Sequence, residues 1–391
     1  MDRFDLVIIG GGINGAGIAQ CASAAGYSVQ LLEKGEIAEQ TSANSSKLIH
    51  GGLRYLESGQ LSLVRKSLSE RRALLKLAPN LVKPIPFYIP VYENSQRSQW
   101  IIRAGLSAYA LLSELDPLGQ FKSLPAVQWP NIKGLKLQGL EAVFQYWDAQ
   151  TDDKALTKSV VRSAVELGAK VLQGAECDAL IHRPDHCEVS YLYQDERCKV
   201  TASCVVNATG PWVNKLIGCI TPPMAKEEVE LIQGSHLLLD IPSPDGILYL
   251  ESCFDERVVF VMPWEGKTLL GTTETTLASL DEKPQPTREE SYYLLGIYRH
   301  YFPESGDIET LEAKIYDSFC GVRVLPKQAG QAFERSRELW LQSRESHPRF
   351  LTLYGGKLTT FRSTAKEVTH WLHERLGERV EIADIDRLPL Y

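Results

Sequence analysis

Three glycines in a fixed register, Gly10, Gly12 and Gly15, follow the apolar run Val7-Ile8-Ile9 and precede a stretch of helical periodicity. Gly10 permits a tight turn. Gly12 lets bare backbone approach a diphosphate that a side chain would push away. Gly15 lets the helix pack close to the strand before it. The helix head, at Ile13 and Asn14, offers N–H groups and a dipole that favours an anion. Glu33 ends the next apolar run, where a carboxylate can accept both hydroxyls of a ribose and disfavours a 2′-phosphate; Lys34 follows it. The chemistry implied is dinucleotide binding. Three features favour FAD over NAD: a long loop after Glu33, the turn Ala208-Thr209-Gly210 after a buried strand, and Gly355-Gly356-Lys357, expected to open the last helix. A glycine turn there can approach the flavin ring or its ribityl chain, and the dipole favours a reduced, anionic flavin.

These residues need a scaffold, and the periodicity supplies one. Residues 4–9 and 28–33 read as strands around a helix over 15–25, the opening of a βαβ unit. Residues 35–60, rich in Gly, Ser, Thr and Asn, read as loop with a short helix near Gly51. A helix is expected from Leu61, and prolines 79, 84, 86 and 90 enforce extended or turn backbone. Further helices are expected over 100–115, 154–167, 289–301 and 363–376, with Asp152 or Asp153 capping the second of these. Strands are expected at 170–172, 188–193, 204–208, 231–239, 247–250, 258–262, 268–271 and 350–354, and residues 379–390 read as a tail. The fold class that follows is α/β, α+β overall. A Rossmann-like nucleotide domain is built from both ends of the chain (1–80, 145–220 and 320–391). A mostly antiparallel substrate domain (81–144 and 221–319) is inserted in it.

The bulk properties narrow the class. A chain of 391 residues has room for two domains, and 44% hydrophobic with 23% charged residues argues against disorder over most of the length. A formal net charge of −7 argues against a nucleic-acid partner. The cysteines at 21, 177, 187, 198, 204, 219, 253 and 320 include no CxxC pair and read as reduced thiols. No stretch reaches the roughly 18 apolar residues of a membrane span, so the expected location is the cytosol, with peripheral membrane contact untested. The helix over 100–115, with Trp100 and Arg103, suits either an ordinary packed position or an interface. There is no metal-binding pattern, and His370 and His373 read as surface residues.

The string Ser45-Ser46-Lys47-Leu48-Ile49-His50-Gly51-Gly52-Leu53-Arg54-Tyr55-Leu56 resembles the FAD-dependent glycerol-3-phosphate dehydrogenases, within the amino-acid oxidase-like flavoproteins. So do the N-terminal glycine stretch, Asn207-Ala208-Thr209-Gly210-Pro211-Trp212-Val213, Gly234-Ser235-His236, Gly271-Thr272-Thr273 and the stretch Gly355 to Thr360. The resemblance implies a nucleotide domain of the glutathione-reductase/amino-acid-oxidase type. It implies oxidation of sn-glycerol 3-phosphate to dihydroxyacetone phosphate, by hydride transfer from C2 to flavin N5, with electrons passed to a quinone or other acceptor. It places Arg54 on the substrate phosphate, Tyr55 and His236 on the site wall, Arg323 beside the reacting centre, and Lys357 in the glycine turn; Arg335 is a further phosphate ligand, with Arg337 close by. Ser42, Ser45, Ser46, Lys47, Leu48, His50, Gly51, Gly52, Cys177, Thr209, Gly210, Trp212, Arg323, Gly356, Lys357, Leu358 and Thr359 are assigned to the flavin nucleotide. Typical members continue into a helical C-terminal domain, which is not expected here.

The residue types agree with that chemistry. Arginine's planar fork suits a phosphate monoester. Loss of hydride from a hydroxyl-bearing carbon also needs a proton acceptor within roughly 3 Å. His50, His236 and Lys357 are the candidates, and the sequence does not choose among them. An FAD oxidase or dehydrogenase of another 2-hydroxy acid or amine is the alternative enzyme. A flavin-bound interaction or tRNA-modifying accessory protein is the non-catalytic one. A homo-oligomer is compatible with either.

Overall fold

A computed structural model describes residues 2–114, 116–280, 284–327 and 339–391. The strand Arg3–Ile9 lies at the centre of the first sheet, and Leu6, Val7 and Ile8 are fully buried. A strand apolar on both faces demands a sheet covered on both sides. It pairs in parallel with Val29–Glu33 on one edge and Glu196–Asn207 on the other, and Lys170–Gln173 extends the parallel set beyond Val29–Glu33. The strand Glu196–Asn207 changes partner along its outer edge. Residues 196–202 pair antiparallel with Cys187–Tyr193, whereas 205–207 pair in parallel with His347–Tyr354. Both ends of the chain therefore meet in one sheet, as the separated strand–turn–helix signals imply.

The helix Ile13–Ala24 is buried on every face except at Asn14, as a core helix should be. It packs between the helices Asp153–Glu166 and Phe361–Leu376. A Cβ at Gly17 would sit 2.6 Å from the Phe361 ring, so the helix–helix contact depends on a bare backbone there. Asp152 caps the second helix by accepting from the Ala155 N–H at 2.9 Å.

The second sheet is antiparallel apart from one short parallel pairing, between Ile247–Glu251 and Val82–Tyr92. Alternation assigns its faces. Leu237, Leu239, Leu248, Leu250, Val259 and Val261 pack on the helix Arg288–Tyr301. Leu238, Ile247, Tyr249, Val258 and Met262 pack on the other side, with the helices Leu61–Leu77 and Gln99–Leu112. Period two is what a sheet buried on both faces imposes when each face meets a different helix layer.

Several expectations need correction. The strands Leu140–Thr151 and Ile315–Pro326 were not read from sequence, because Gln145, Asp148 and Thr151 interrupt the apolar pattern of the first and Asp317, Gly321 and Arg323 that of the second. Residues 145–151 and 320–326, assigned from sequence to the nucleotide domain, hydrogen-bond within the second sheet, as does the short strand Leu48–Ile49. Of the two conformations expected for the proline-rich stretch, extended backbone holds over Val82–Tyr92, which is a full strand. Pro84, Pro86 and Pro90 share one parity, so the missing donors fall on one edge and the ladder to Leu140–Thr151 runs on. The turn Gly355-Gly356-Lys357 does not open the last helix, which begins at Phe361 with Thr360 at its N-cap. Residues 379–390 are not a loose tail: the Leu390 side chain is buried, its N–H donates to Leu77 O at 2.8 Å, and Ile382 N–H donates to Ala24 O at 2.7 Å.

Candidate active site

A cavity of about 340 Å³ opens where the parallel strands end, walled by Ile9, Glu33 and Ala208 at their C-terminal tips. This is where open parallel sheets bind ligands. Gly10 has φ +112°, and a Cβ on it would lie 2.4 Å from Ala208 O. At Gly12 a Cβ would meet the Ser42 hydroxyl at 3.1 Å, and at Gly15 it would fall 1.9 Å from Gly10 O. Gly10 and Gly12 face the cavity, while Gly15 closes the packing behind them. The Ile13 N–H donates to Ser42 Oγ at 2.9 Å, and Asn14 Oδ1 is buried with no hydrogen-bond partner. Glu33 accepts from Gly11 N–H at 2.6 Å and Gly35 N–H at 2.9 Å. A carboxylate has about four acceptor positions, so it retains capacity for sugar hydroxyls.

The far end of the groove is closed by Lys34, whose Nζ lies 4.0 Å above the Trp212 ring. Thr209 and Gly210 line the same wall, tied down by Asn207: Thr209 Oγ1 donates to Asn207 Oδ1 at 2.7 Å, and Asn207 Nδ2 donates to Val213 O at 3.1 Å. Cys177 is also on the wall, but burial pushes its thiol up to about 12, which leaves it a neutral surface rather than a nucleophile.

The loop over 41–50 supplies the middle of the wall through Ser42, Ser45, Ser46, Leu48 and His50. Its anchor is Asp153, which the sequence offered, as the alternative to Asp152, for the helix cap. Asp153 accepts from Ser45 N–H at 2.9 Å, Ser45 Oγ at 2.6 Å and Lys47 Nζ at 2.7 Å. Lys47 was assigned to the nucleotide, yet its side chain is buried on Asp153 and Ala43 O, away from the cavity wall. It acts behind the wall. Gly51 and Gly52 are also one layer back. Gly51 N–H donates to the Tyr109 hydroxyl at 2.9 Å, and Gly52, at φ +78°, turns the backbone over the Tyr55 ring. On the opposite side Gly356, Lys357, Leu358 and Thr359 line the cavity, and His50 N–H donates to Thr359 Oγ1 at 3.3 Å, which joins the two loops. A Cβ at Gly356 would crowd Asn14 Nδ2 at 2.8 Å, so this turn abuts the head of the first helix.

Cationic and imidazole groups gather at the other end. Lys357 Nζ lies 3.5 Å over the Tyr55 ring. His236 and Arg323 come from neighbouring strands of the second sheet, where Ile232 pairs with Arg323 and His236 with Phe319. His236 stacks on Phe319 with ring centroids 4.9 Å apart, and its Nε2 lies 2.9 Å from Ser46 Oγ. Burial, reinforced by the Lys47 and Arg323 charges, pushes its pKa down to about 3. His236 is therefore a neutral imidazole at physiological pH. Gly271 makes room for it, since a Cβ there would stand 2.2 Å from its ring. Behind His236, Glu290 accepts from Ser235, Thr273 and Thr275 hydroxyls and from the Thr287 N–H. Burial raises its pKa, but those donors outweigh burial and hold it below the usual carboxylate range. Arg323 Nη1 donates to Glu274 at 3.0 Å, and Arg54 reaches the same carboxylate from 3.9 Å without lining the cavity. Arg335 and Arg337 lie outside the described residues.

Sequence reading missed Asp153, Glu274, Phe319 and the pair Tyr109 and Asp148. Glu274 alone left a usable signal, because it directly follows the Gly271-Thr272-Thr273 stretch. Among the described residues no cluster could hold a metal ion, and no helix is long and apolar enough to cross a membrane.

A family model described as FAD dependent oxidoreductase matches residues 5–362. The chain belongs to that family. Its cofactor is FAD and it is an oxidoreductase; the glycine-bared groove, Glu33 and the partnerless Asn14 Oδ1 fit that cofactor. A glycerol-3-phosphate dehydrogenase of Synechocystis sp. is 33% identical over 95% of this chain and 70% of its own length. A D-erythritol 1-phosphate dehydrogenase of Brucella abortus is 34% identical over 98% of this chain and 78% of its own. Among solved structures, a glycerol-3-phosphate dehydrogenase from Bacillus halodurans complexed with FAD aligns with a TM-score of 0.77 at 25% identity, covering 99% of this chain and 68% of that one.

Proposed function

We propose that this flavoenzyme oxidises sn-glycerol 3-phosphate to dihydroxyacetone phosphate. The supporting observation is the cationic end of the cavity, where Arg323 and Lys357 stand on the wall beside His236 and His50. The relatives named for glycerol-3-phosphate and erythritol 1-phosphate dehydrogenases share a phosphorylated polyol, and a phosphate monoester is what arginines hold best.

Gly10, Gly12, Ile13 and Ser42 would hold the diphosphate, Glu33 the ribose, Lys34, Cys177 and Trp212 the adenine end, and Ser45, Ser46, Leu48 and Gly356 to Thr359 the flavin side. Bound FAD supplies a hydride acceptor at flavin N5. Arg323, with Arg335 as a further ligand, fixes the substrate's charged end, and Arg54 stands behind it on the shared Glu274 carboxylate. Lys357 stabilises negative charge as the hydroxyl oxygen becomes a carbonyl. His236 is too weak a base to take the hydroxyl proton near neutral pH and serves as a neutral hydrogen-bond partner of that oxygen. His50, between the Thr359 turn and the Gly51 anchor, is the proton acceptor.

The electrons leave to a quinone, and the helix Gln99–Leu112 gives peripheral contact with the cytoplasmic face of a membrane. Support for that contact is the outward face of the helix, where Trp100 is 69% and Leu111 69% exposed, with Arg103 beside them.

The test is anaerobic. Glycerol 3-phosphate should bleach the flavin absorbance of the purified holoenzyme, with D-erythritol 1-phosphate as a comparison and 2-hydroxyglutarate inert. Bleaching by 2-hydroxyglutarate and none by glycerol 3-phosphate refutes the assignment.

A further inference from the structure

We propose that Glu274 is a positioning residue that joins Arg54 to Arg323, orients Arg323 on the cavity wall and sets how tightly it holds the substrate's anion; this rests on the phosphate-substrate reading above. Glu274 Oε1 lies 3.0 Å from Arg323 Nη1 and 3.9 Å from Arg54 Nη2. The carboxylate is 8% exposed, against 27% for the Arg323 side chain and 22% for Arg54. One buried anion thus joins two cations from distant parts of the chain: Arg54 from the turn after Gly52, Arg323 from the strand Ile315–Pro326. Glu274 is itself fixed. Its neighbour Thr273 is bonded to Glu290, and its backbone oxygen accepts from Arg257 Nη1 at 3.3 Å.

A guanidinium presents five donors in one plane. An acceptor held on Nη1 decides which edge of Arg323 is turned to the cavity, and Arg323 is the member of the pair on the cavity wall. The same carboxylate carries a negative charge close to where a phosphate ester would bind, and like charges raise the cost of binding. Glu274 therefore improves orientation and weakens affinity together. Removing its charge should tighten binding of a bare anion and slow the oxidation. A residue that merely supported the fold would weaken both.

The experiment compares wild-type, Glu274→Gln and Glu274→Asp holoenzymes. Binding of inorganic phosphate is read from the perturbed flavin spectrum, and flavin reduction by saturating glycerol 3-phosphate is read by anaerobic stopped flow. Glu274→Gln should bind phosphate severalfold more tightly, while its reduction rate falls by about tenfold or more as orientation is lost. Glu274→Asp keeps the charge but retracts it, so phosphate affinity should stay within about twofold while the rate still falls. Unchanged or weaker phosphate binding by Glu274→Gln overturns the inference, as does a wild-type reduction rate in either variant. Should Glu274→Gln fail to fold, the Glu274→Asp rate decides. The phosphate titration stands apart from turnover: failure of the wild type to react with glycerol 3-phosphate sinks the substrate assignment, whereas wild-type turnover with unaltered variants sinks only the role of Glu274.

Discussion

His236 shows how far a side chain's chemistry is set by its surroundings. Its imidazole has an ordinary pKa of 6.5, lowered to about 3 by burial first and by the Lys47 and Arg323 charges second. The unfolded chain takes up this proton at mildly acidic pH and the folded chain refuses it. The resulting contribution to stability is complete above pH 6.5, declines as the pH falls, and is gone by about 3. Wild-type protein should lose denaturant midpoint between about pH 7 and about pH 5, and His236→Gln should lose less over the same window. An equal loss in both would show that other groups carry the acid limb. The glycines and Glu33 were legible in the sequence because each sits in a short motif tied to a strand end, whereas His236 and Arg323, in the middle of the strands Val229–Pro242 and Ile315–Pro326, were reached only through the family resemblance. Asp153 was not legible, and Glu274 left only its place after Gly271-Thr272-Thr273, because their roles depend on residues far away in the chain, at Ser45, Lys47, Arg54 and Arg323.

At the scale of elements, the helix Gln99–Leu112 does more than cover the second sheet. Its Tyr109 hydroxyl donates to Asp148 Oδ2 at 2.7 Å and accepts from Gly51 N–H, while Arg71 Nη1 donates to Asp148 Oδ1 at 2.6 Å. Arg71, Tyr109 and Asp148 are all buried. Two helices and the strand Leu140–Thr151 thus clamp the backbone next to His50. Tyr109→Phe removes one hydroxyl from a buried network and should cost roughly 1–3 kcal/mol. It should also lower the flavin-reduction rate, because the loop bearing His50 is no longer pinned. Equilibrium unfolding and stopped-flow reduction check both; a stability loss with an unchanged rate would confine the network to folding. The helix Gln99–Leu112 was legible from its spacing, yet the strand it helps cover was not. Asp148 looks like a surface residue until Arg71 and Tyr109 are known to face it.

For the whole molecule, the groove between strand ends, loop and last turn is a set of polar and glycine-bared surfaces that FAD would bring together. A ligand that binds only the folded state stabilises it by mass action, by about 2.7 kcal/mol when free FAD exceeds its dissociation constant a hundredfold. Thermal unfolding of apoprotein should therefore shift upward with added FAD. Gly12→Val, whose side chain would press toward Ser42, should abolish that shift while leaving the apoprotein's own transition nearly intact. A preserved FAD-dependent shift in Gly12→Val would place the diphosphate elsewhere. The fold class was readable because the first strand, its glycine turn and Glu33 agree with one another. The sheet boundaries were not, because strands such as Ile315–Pro326 carry Asp317, Gly321 and Arg323 within what is a continuous ladder.

The two-residue strand Leu48–Ile49 has a mechanical meaning. It hydrogen-bonds to Gln150 and Ala149 of the second sheet while its own loop forms the wall of the groove below the first. Prising the halves apart like the shells of a bivalve would tear this seam. Any widening of the groove that parted the two sheets would have to break this pairing first.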